Sequence, residues 1–129
     1  MPVTIAGRDF ICNKVIGTAG TNFDNTNAYI GIGSGTLAFA SSQTVLSTAL
    51  SAGRVVQDST YPQQPSANVL RFRSTFAGVN ANGAWEEWGV FNASVAGTMF
   101  NRKAETLGTK PSSQTWQFTV DITLTVPAT

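Results

Sequence analysis

The alternation of apolar and polar residues is clearest near the end of the chain, over residues 116–126. Every even position in this stretch is apolar and every odd position is polar. The apolar positions are Trp116, Phe118, Val120, Ile122, Leu124 and Val126. A period of two is typical of a strand with one buried face. We therefore predict a long strand here, ended by Pro127.

Weaker alternation predicts a second strand over residues 69–76. It places Phe72 and Phe76 on one face, and it places Arg71 and Arg73 on the opposite face, toward solvent or a partner.

Two more strands are predicted in the first half of the chain. Residues 28–33 direct Ala28, Ile30 and Ile32 to one side and are followed by a glycine-containing turn. Residues 54–57 are a short strand candidate. Residues 39–47 offer serine caps for one helical turn, and the proline-rich stretch 60–68 predicts a turn.

A hairpin is predicted from residues 85–92 and 98–105, which are joined by a glycine-containing connection. The first segment contains adjacent acids, Glu86 and Glu87, which could be interpreted as a catalytic pair. Neighbouring residues of a strand point to opposite faces, so this interpretation is disfavoured. Two carboxylates that cleave a glycosidic bond must face one substrate from about 5 to 9.5 Å apart.

The segment 8–17 has two interpretations from sequence. As a helix, it would be capped by Asp9 and ended by Gly17, with Phe10, Ile11 and Val15 at helical spacing. As an edge strand, it would extend a sheet. Taken together, the elements predict an all-β, single-domain antiparallel β-sandwich or barrel-like domain, with room for one short N-terminal helix. We assign residues 1–27 to an N-terminal docking segment and loop, and residues 28–129 to the sandwich.

Composition narrows the classes of function. Only 12% of the 129 residues are charged and the net charge is +1, while Ser and Thr number 28 and Asn nine. Without a cluster of basic residues, nucleic acid and membrane surfaces are poor partners. The first residues lack the basic and long apolar segments of a signal peptide, so we expect synthesis in the cytoplasm.

Candidate chemistry is sparse in this sequence. Histidine is absent, which removes the commonest general acid or base and the usual partner of a nucleophile. The single thiol, Cys12, is expected to be a small buried residue. The glycines of residues 31–36 predict a turn rather than a phosphate-binding loop, because no amphipathic helix follows. We predict no catalytic residue, no metal site, no cofactor and no enzymatic activity.

The order of several motifs resembles a group of small, all-β structural proteins of tailed bacteriophages. The motifs are the YIGIGSGT strand and turn, the EWGVFNA and GTMFNRK hairpin, and the final alternating strand. The resemblance covers about residues 28–126. It implies a β-sandwich in the virion, of the kind found in capsid decoration proteins and at the bases of tail fibres.

We therefore expect a capsid decoration, or cement, protein that binds the major capsid shell. The alternatives are a tail or head-to-tail accessory protein, such as a fibre-attachment module, and a carbohydrate-binding module that uses Trp85 or Trp116 as a stacking platform. A homo-oligomer is expected, with a trimer favoured by capsid and fibre symmetry. The apolar residues assigned to partner docking are Phe10, Ile11, Val15 and Ile16.

Overall fold

The computed structural model describes residues 3–18 and 20–125 as one helix and two antiparallel sheets. The helix α1 spans Ile5–Val15. The strands are β1 (Tyr29–Gly33), β2 (Ala49–Val56), β3 (Gln63–Ser66), β4 (Val69–Phe76), β5 (Gly83–Phe91), β6 (Met99–Lys110) and β7 (Trp116–Thr123). One sheet has the order β2-β1-β5-β6 and the other has the order β3-β4-β7. The predicted sandwich is confirmed, and the described residues form no closed barrel.

The core lies between the two sheets and contains the faces that alternation predicted. Ala28, Ile30 and Ile32 are fully buried on one side, and Phe72 and Phe76 are buried on the other. They pack in one cluster with the even-numbered residues of β7. Each buried isoleucine or phenylalanine contributes about 1.5–3 kcal/mol when it leaves water, so this shared face holds the two sheets together.

The hairpin of β5 and β6 is confirmed, but its alternation is interrupted. Trp85 lies opposite Gly108, whereas Glu87 lies opposite Ala104, so β6 carries extra residues at this point. Such a bulge changes the direction of side chains. Trp85 and Trp88 consequently pack in the same core, whereas strict alternation along β5 would direct only one of them inward.

The final strand is shorter than the alternation predicted and lies at an edge. Among residues 3–18 and 20–125, β7 pairs only with β4, in a continuous register from Trp116 to Thr123. Leu124 falls outside the strand and is 39% exposed. Val126 and Pro127, which were assigned to the end of this strand, lie outside the described residues.

Of the two interpretations of residues 8–17, the helix is confirmed and the edge strand is wrong. The helix begins earlier than expected because Thr4, not Asp9, caps it, its Oγ1 accepting a hydrogen bond of 2.9 Å from the Gly7 amide. Gly17 follows its end with a φ of +78°, as a glycine there allows.

Three further predictions are wrong in detail. Residues 39–47 form an irregular loop rather than a helical turn: the Gln43 amide donates to the Ala40 carbonyl in a single tight turn, and the Ser47 amide donates to Glu87 of β5. Part of the stretch 60–68 forms β3, which pairs with β4. Cys12 is exposed rather than buried.

Candidate functional site

A buried ion pair lies on the outer face of the four-stranded sheet. Glu87 of β5 and Arg102 of β6 are both 0% exposed, and the Arg102 Nε donates to a Glu87 carboxylate oxygen over 2.8 Å. As an adjacent basic pair on the hairpin, Arg102 and Lys103 would be expected on a solvated face, but Arg102 is not, because the loop of residues 34–48 covers it. Buried charges require partners of this kind to offset desolvation.

The 34–48 loop is held by both members of the pair. Backbone amides of Gly35, Ser47 and Thr48 donate to the Glu87 carboxylate over 2.8–2.9 Å. Arg102 in turn donates to the Leu37 carbonyl over 2.9 Å. The pair therefore fixes this loop on the sheet.

Glycines on β1 and beyond it make this close approach feasible. A Cβ added to Gly33 would lie 2.5 Å from both the Glu87 carboxylate and the Thr48 carbonyl oxygen. A Cβ on Gly35 would collide with the Ser47 side chain. The glycines of the YIGIGSGT motif thus serve packing around a carboxylate, which is consistent with a structural role for the motif.

Glu86 has different surroundings from its neighbour. Its carboxylate accepts a hydrogen bond of 2.6 Å from the Thr106 hydroxyl and is partly exposed. Glu87 is enclosed by the loop on the other side of the strand. The two carboxylates therefore bind separate partners and face no common cavity.

The pKa of Glu87 makes the stability of the domain dependent on pH. Burial raises this pKa, but hydrogen bonds from the Thr48 and Ser47 amides and from Arg102 outweigh burial and leave it below its usual value. A pKa that is lower in the folded state gives stabilisation above the unfolded pKa, which is about 4.3. This stabilisation is lost as the pH falls through the folded pKa.

We expect the difference in unfolding free energy between the native chain and Glu87→Gln to stay nearly constant from pH 7 to about pH 5 and to shrink as the pH falls further toward about pH 3. Urea denaturation at several pH values measures it. Asp121→Asn is the matched control, because Arg71 lowers the pKa of Asp121 while the pair stays partly exposed. A difference in unfolding free energy between the native chain and Glu87→Gln that stays constant with pH would contradict a lowered pKa of Glu87 in the folded state.

The four predicted docking residues lie on or just after α1, in two different environments. Phe10 and Ile11 are partly buried against the sandwich, and the Phe10 ring packs edge-on against Phe23 with centroids 4.8 Å apart. Val15 and Ile16 are 81% and 79% exposed. The helix therefore brings one pair into the domain and presents the other pair to solvent.

A groove of about 380 Å³ runs beside these residues, between α1 and the ends of the strands. We call it the α1 groove. Its apolar lining comes from Phe10, Ile11, Val15, Phe23, Pro62, Leu70, Phe72, Phe100 and Leu124. Lys14 is the charged residue of this lining. The contributions of Phe23, Phe100 and Leu124 were not predicted, because only the tertiary fold brings them to the helix.

The helix is anchored to β6 by close backbone contacts. Thr4 donates from its amide to the Phe100 carbonyl over 3.0 Å and from its hydroxyl to the Met99 carbonyl over 2.6 Å. A side chain at Gly7 would collide with the Phe100 carbonyl. The segment assigned to docking is thus also part of the folded domain.

The tryptophans considered for sugar stacking do not present open, flat faces. Trp85 is buried and donates from its indole nitrogen to the Ala81 carbonyl over 2.8 Å. The Trp116 ring is partly buried and packs edge-on against Trp85 at 5.0 Å. These positions favour core packing over a carbohydrate platform.

Two further structural findings bear on possible sites. Across residues 3–18 and 20–125, no three His, Cys, Asp or Glu side chains cluster in a way that could hold a metal ion. In the same part of the chain, no helix has the length and apolar character needed to cross a bilayer.

Comparisons with protein-family models, with curated proteins and with solved structures find no significant match to this chain.

Proposed function

We propose that the protein is a capsid decoration protein of a tailed bacteriophage, made in the bacterial cytoplasm and bound to the major capsid shell. The sequence motifs between residues 28 and 126 support the phage assignment, and the sandwich fold is consistent with it. The observation that carries the docking proposal is the exposure of Val15 and Ile16 beside the α1 groove. Adjacent exposed apolar residues next to an apolar groove are typical of a protein interaction site.

The low charge of the chain suits a protein that is packed in many copies. Surfaces with a strong charge of one sign would repel across a repeated lattice, whereas a net charge of +1 does not. Each copy then needs only a modest contact, because copies that also contact one another bind with combined affinity. Affinity in this proposal comes from apolar burial at the α1 groove.

The test is binding of the purified protein to heads that were assembled without it. We expect Val15→Ser with Ile16→Ser to keep the fold, because both side chains are exposed, and to lose binding. Burial of each side chain is worth about 1.5 kcal/mol or more, which is roughly tenfold in affinity for each residue. Co-sedimentation with the heads measures the loss.

Val79→Ser is the matched control, because Val79 is 75% exposed and lies outside the α1 groove. It should bind like the native chain. Equal binding by the native chain and the double variant would contradict docking through α1. Binding to purified tails but not to heads would instead support a tail accessory protein. Truncation of the first residues is a poorer test, because Thr4 and Gly7 anchor α1 to β6.

A further inference from the structure

The four strands at the sheet edges differ in how well their free backbone groups are protected. An exposed edge can pair with another chain, and proteins block it with short strands, proline, charge or bulges. β3 has four residues and contains Pro65. β2 changes register against β1 and has a positive φ at Ala52. β6 carries its bulge, the Lys103–Glu105 ion pair and the α1 contacts.

β7 has none of these protections. It is eight residues long, contains no proline, lysine or arginine, and keeps an unbroken register with β4. Its one charged residue is Asp121, which Arg71 holds in a bidentate ion pair of 2.8 and 3.0 Å. The edge therefore presents a regular row of backbone groups without an uncompensated charge.

The hydrogen bonds at the end of the strand show which backbone groups face outward. Leu124 donates from its amide to the Asn68 carbonyl over 2.7 Å, so this residue pair is the hydrogen-bonded type. Hydrogen-bonded and non-hydrogen-bonded residue pairs alternate along an antiparallel ladder. The amides of even-numbered β7 residues therefore point to β4, and those of odd-numbered residues point away from it.

The pairing of Thr119 with Arg73 supports this assignment independently. The Arg73 amide donates to the Gln57 side chain over 2.8 Å, and its carbonyl accepts from the Asp58 amide over 2.8 Å. Arg73 thus uses its backbone groups on the side away from β7. Thr119, which lies opposite it, consequently directs its own amide and carbonyl to the open edge.

We propose that β7 pairs with β7 of a second copy of this chain, antiparallel and around a two-fold axis. If the two strands form one continuous sheet with both core-facing sides on the same face, even-numbered residues lie opposite even-numbered residues, and odd-numbered residues lie opposite odd-numbered ones. The two registers that overlap nearly the whole strand place Asp121 opposite Thr119 or Gln117 of the second copy. In neither register does Asp121 lie opposite Asp121 of the second copy, so the pairing brings no two like charges face to face.

The neighbouring side chains add an apolar contribution to this contact. Trp116 and Phe118 belong to the core-facing side of β7, yet both remain partly exposed. With Leu107 of β6 they line a groove of about 370 Å³ between the two edge strands. An added strand would extend the sheet beside this groove and remove part of its apolar lining from water.

This contact goes beyond the proposed virion role and does not depend on it. A two-fold contact produces dimers, whereas the trimer expected from sequence would need a different interface. Sedimentation equilibrium of the whole chain in solution distinguishes the two, and it is independent of binding to heads. We expect a monomer–dimer equilibrium that shifts toward dimer as the concentration rises.

Thr119→Pro tests the backbone contact directly. Proline removes the outward amide without removing a bond to β4, and edge positions of this kind tolerate proline. We expect Thr119→Pro to lose the dimer over the range in which the native chain dimerises. Thr119→Ala, which removes the same side chain and keeps the amide, should dimerise like the native chain. A monomeric native chain, a trimer, or an unchanged dimer in Thr119→Pro would overturn the proposal.

Amide hydrogen exchange of the native chain keeps the test decisive if the proline variant fails to fold. The amides of Gln117, Thr119 and Asp121 should gain protection as concentration rises, whereas those of Phe118 and Val120 should be protected throughout. Exchange at the odd-numbered amides that is fast at every concentration would refute pairing through this edge.

Discussion

Replacing Arg102 with alanine should destabilise the domain by about 3–5 kcal/mol, because it leaves the Glu87 carboxylate buried without its charged partner. The loss includes the hydrogen bonds that Arg102 donates to Leu37 and Gln43 in the covering loop. Urea denaturation measures the change in unfolding free energy. NMR spectra of the folded variant should show the largest chemical-shift changes in residues 34–48.

Lys103→Ala is the control for this prediction. Lys103 is the next residue of β6, but it is partly exposed and pairs with Glu105 at 3.1 Å. Partly exposed pairs contribute about 0–1 kcal/mol, so the control should be nearly neutral. Equal losses for Arg102→Ala and Lys103→Ala would show that the buried pair does not hold the loop.

Replacing Trp85 with alanine should cost about 3–5 kcal/mol. Its ring packs edge-on against Phe76, Trp116 and Phe118, with centroids 5.0–5.6 Å apart. Truncation leaves a cavity between the sheets, and it also leaves the Ala81 carbonyl without the indole donor. Thermal and urea unfolding should both report the loss.

Trp116→Ala provides the comparison, because Trp116 contacts Trp85 but remains partly exposed. Less of the Trp116 side chain is buried in the folded state, so we expect Trp116→Ala to lower the unfolding free energy clearly less than Trp85→Ala does. If the two variants are equally destabilised, Trp85 is not the centre of this aromatic cluster.

The sequence predicted the elements whose burial follows a simple period. β4, β7 and β1 each have one face in the core, so alternation alone identified Phe72, Ile122 and Ile30 as buried. It failed at Trp85 and Trp88, because the bulge in β6 changes the phase of the hairpin. Nothing in the local pattern of residues 85–88 reveals an insertion in the opposite strand.

Less of the candidate site than of the fold could be predicted from the sequence. The apolar spacing of residues 10–16 indicated a helix that could dock, and Val15 and Ile16 are exposed. The buried position of Arg102 could not be predicted, because its cover comes from a loop about sixty residues earlier. About fifty residues separate Glu87 from the glycine motif, which locally predicts only a turn.

The sheet order has a kinetic consequence. Ile32 pairs with Trp88, and Phe72 pairs with Val120, so each sheet joins strands about fifty residues apart along the chain. Loop closure over such separations must precede the contacts that compensate for its entropy. The domain should therefore fold in about milliseconds to seconds rather than microseconds. During synthesis, β1 and β4 must wait for β5 and β7 to emerge before either sheet is complete, which leaves apolar strands transiently open to aggregation.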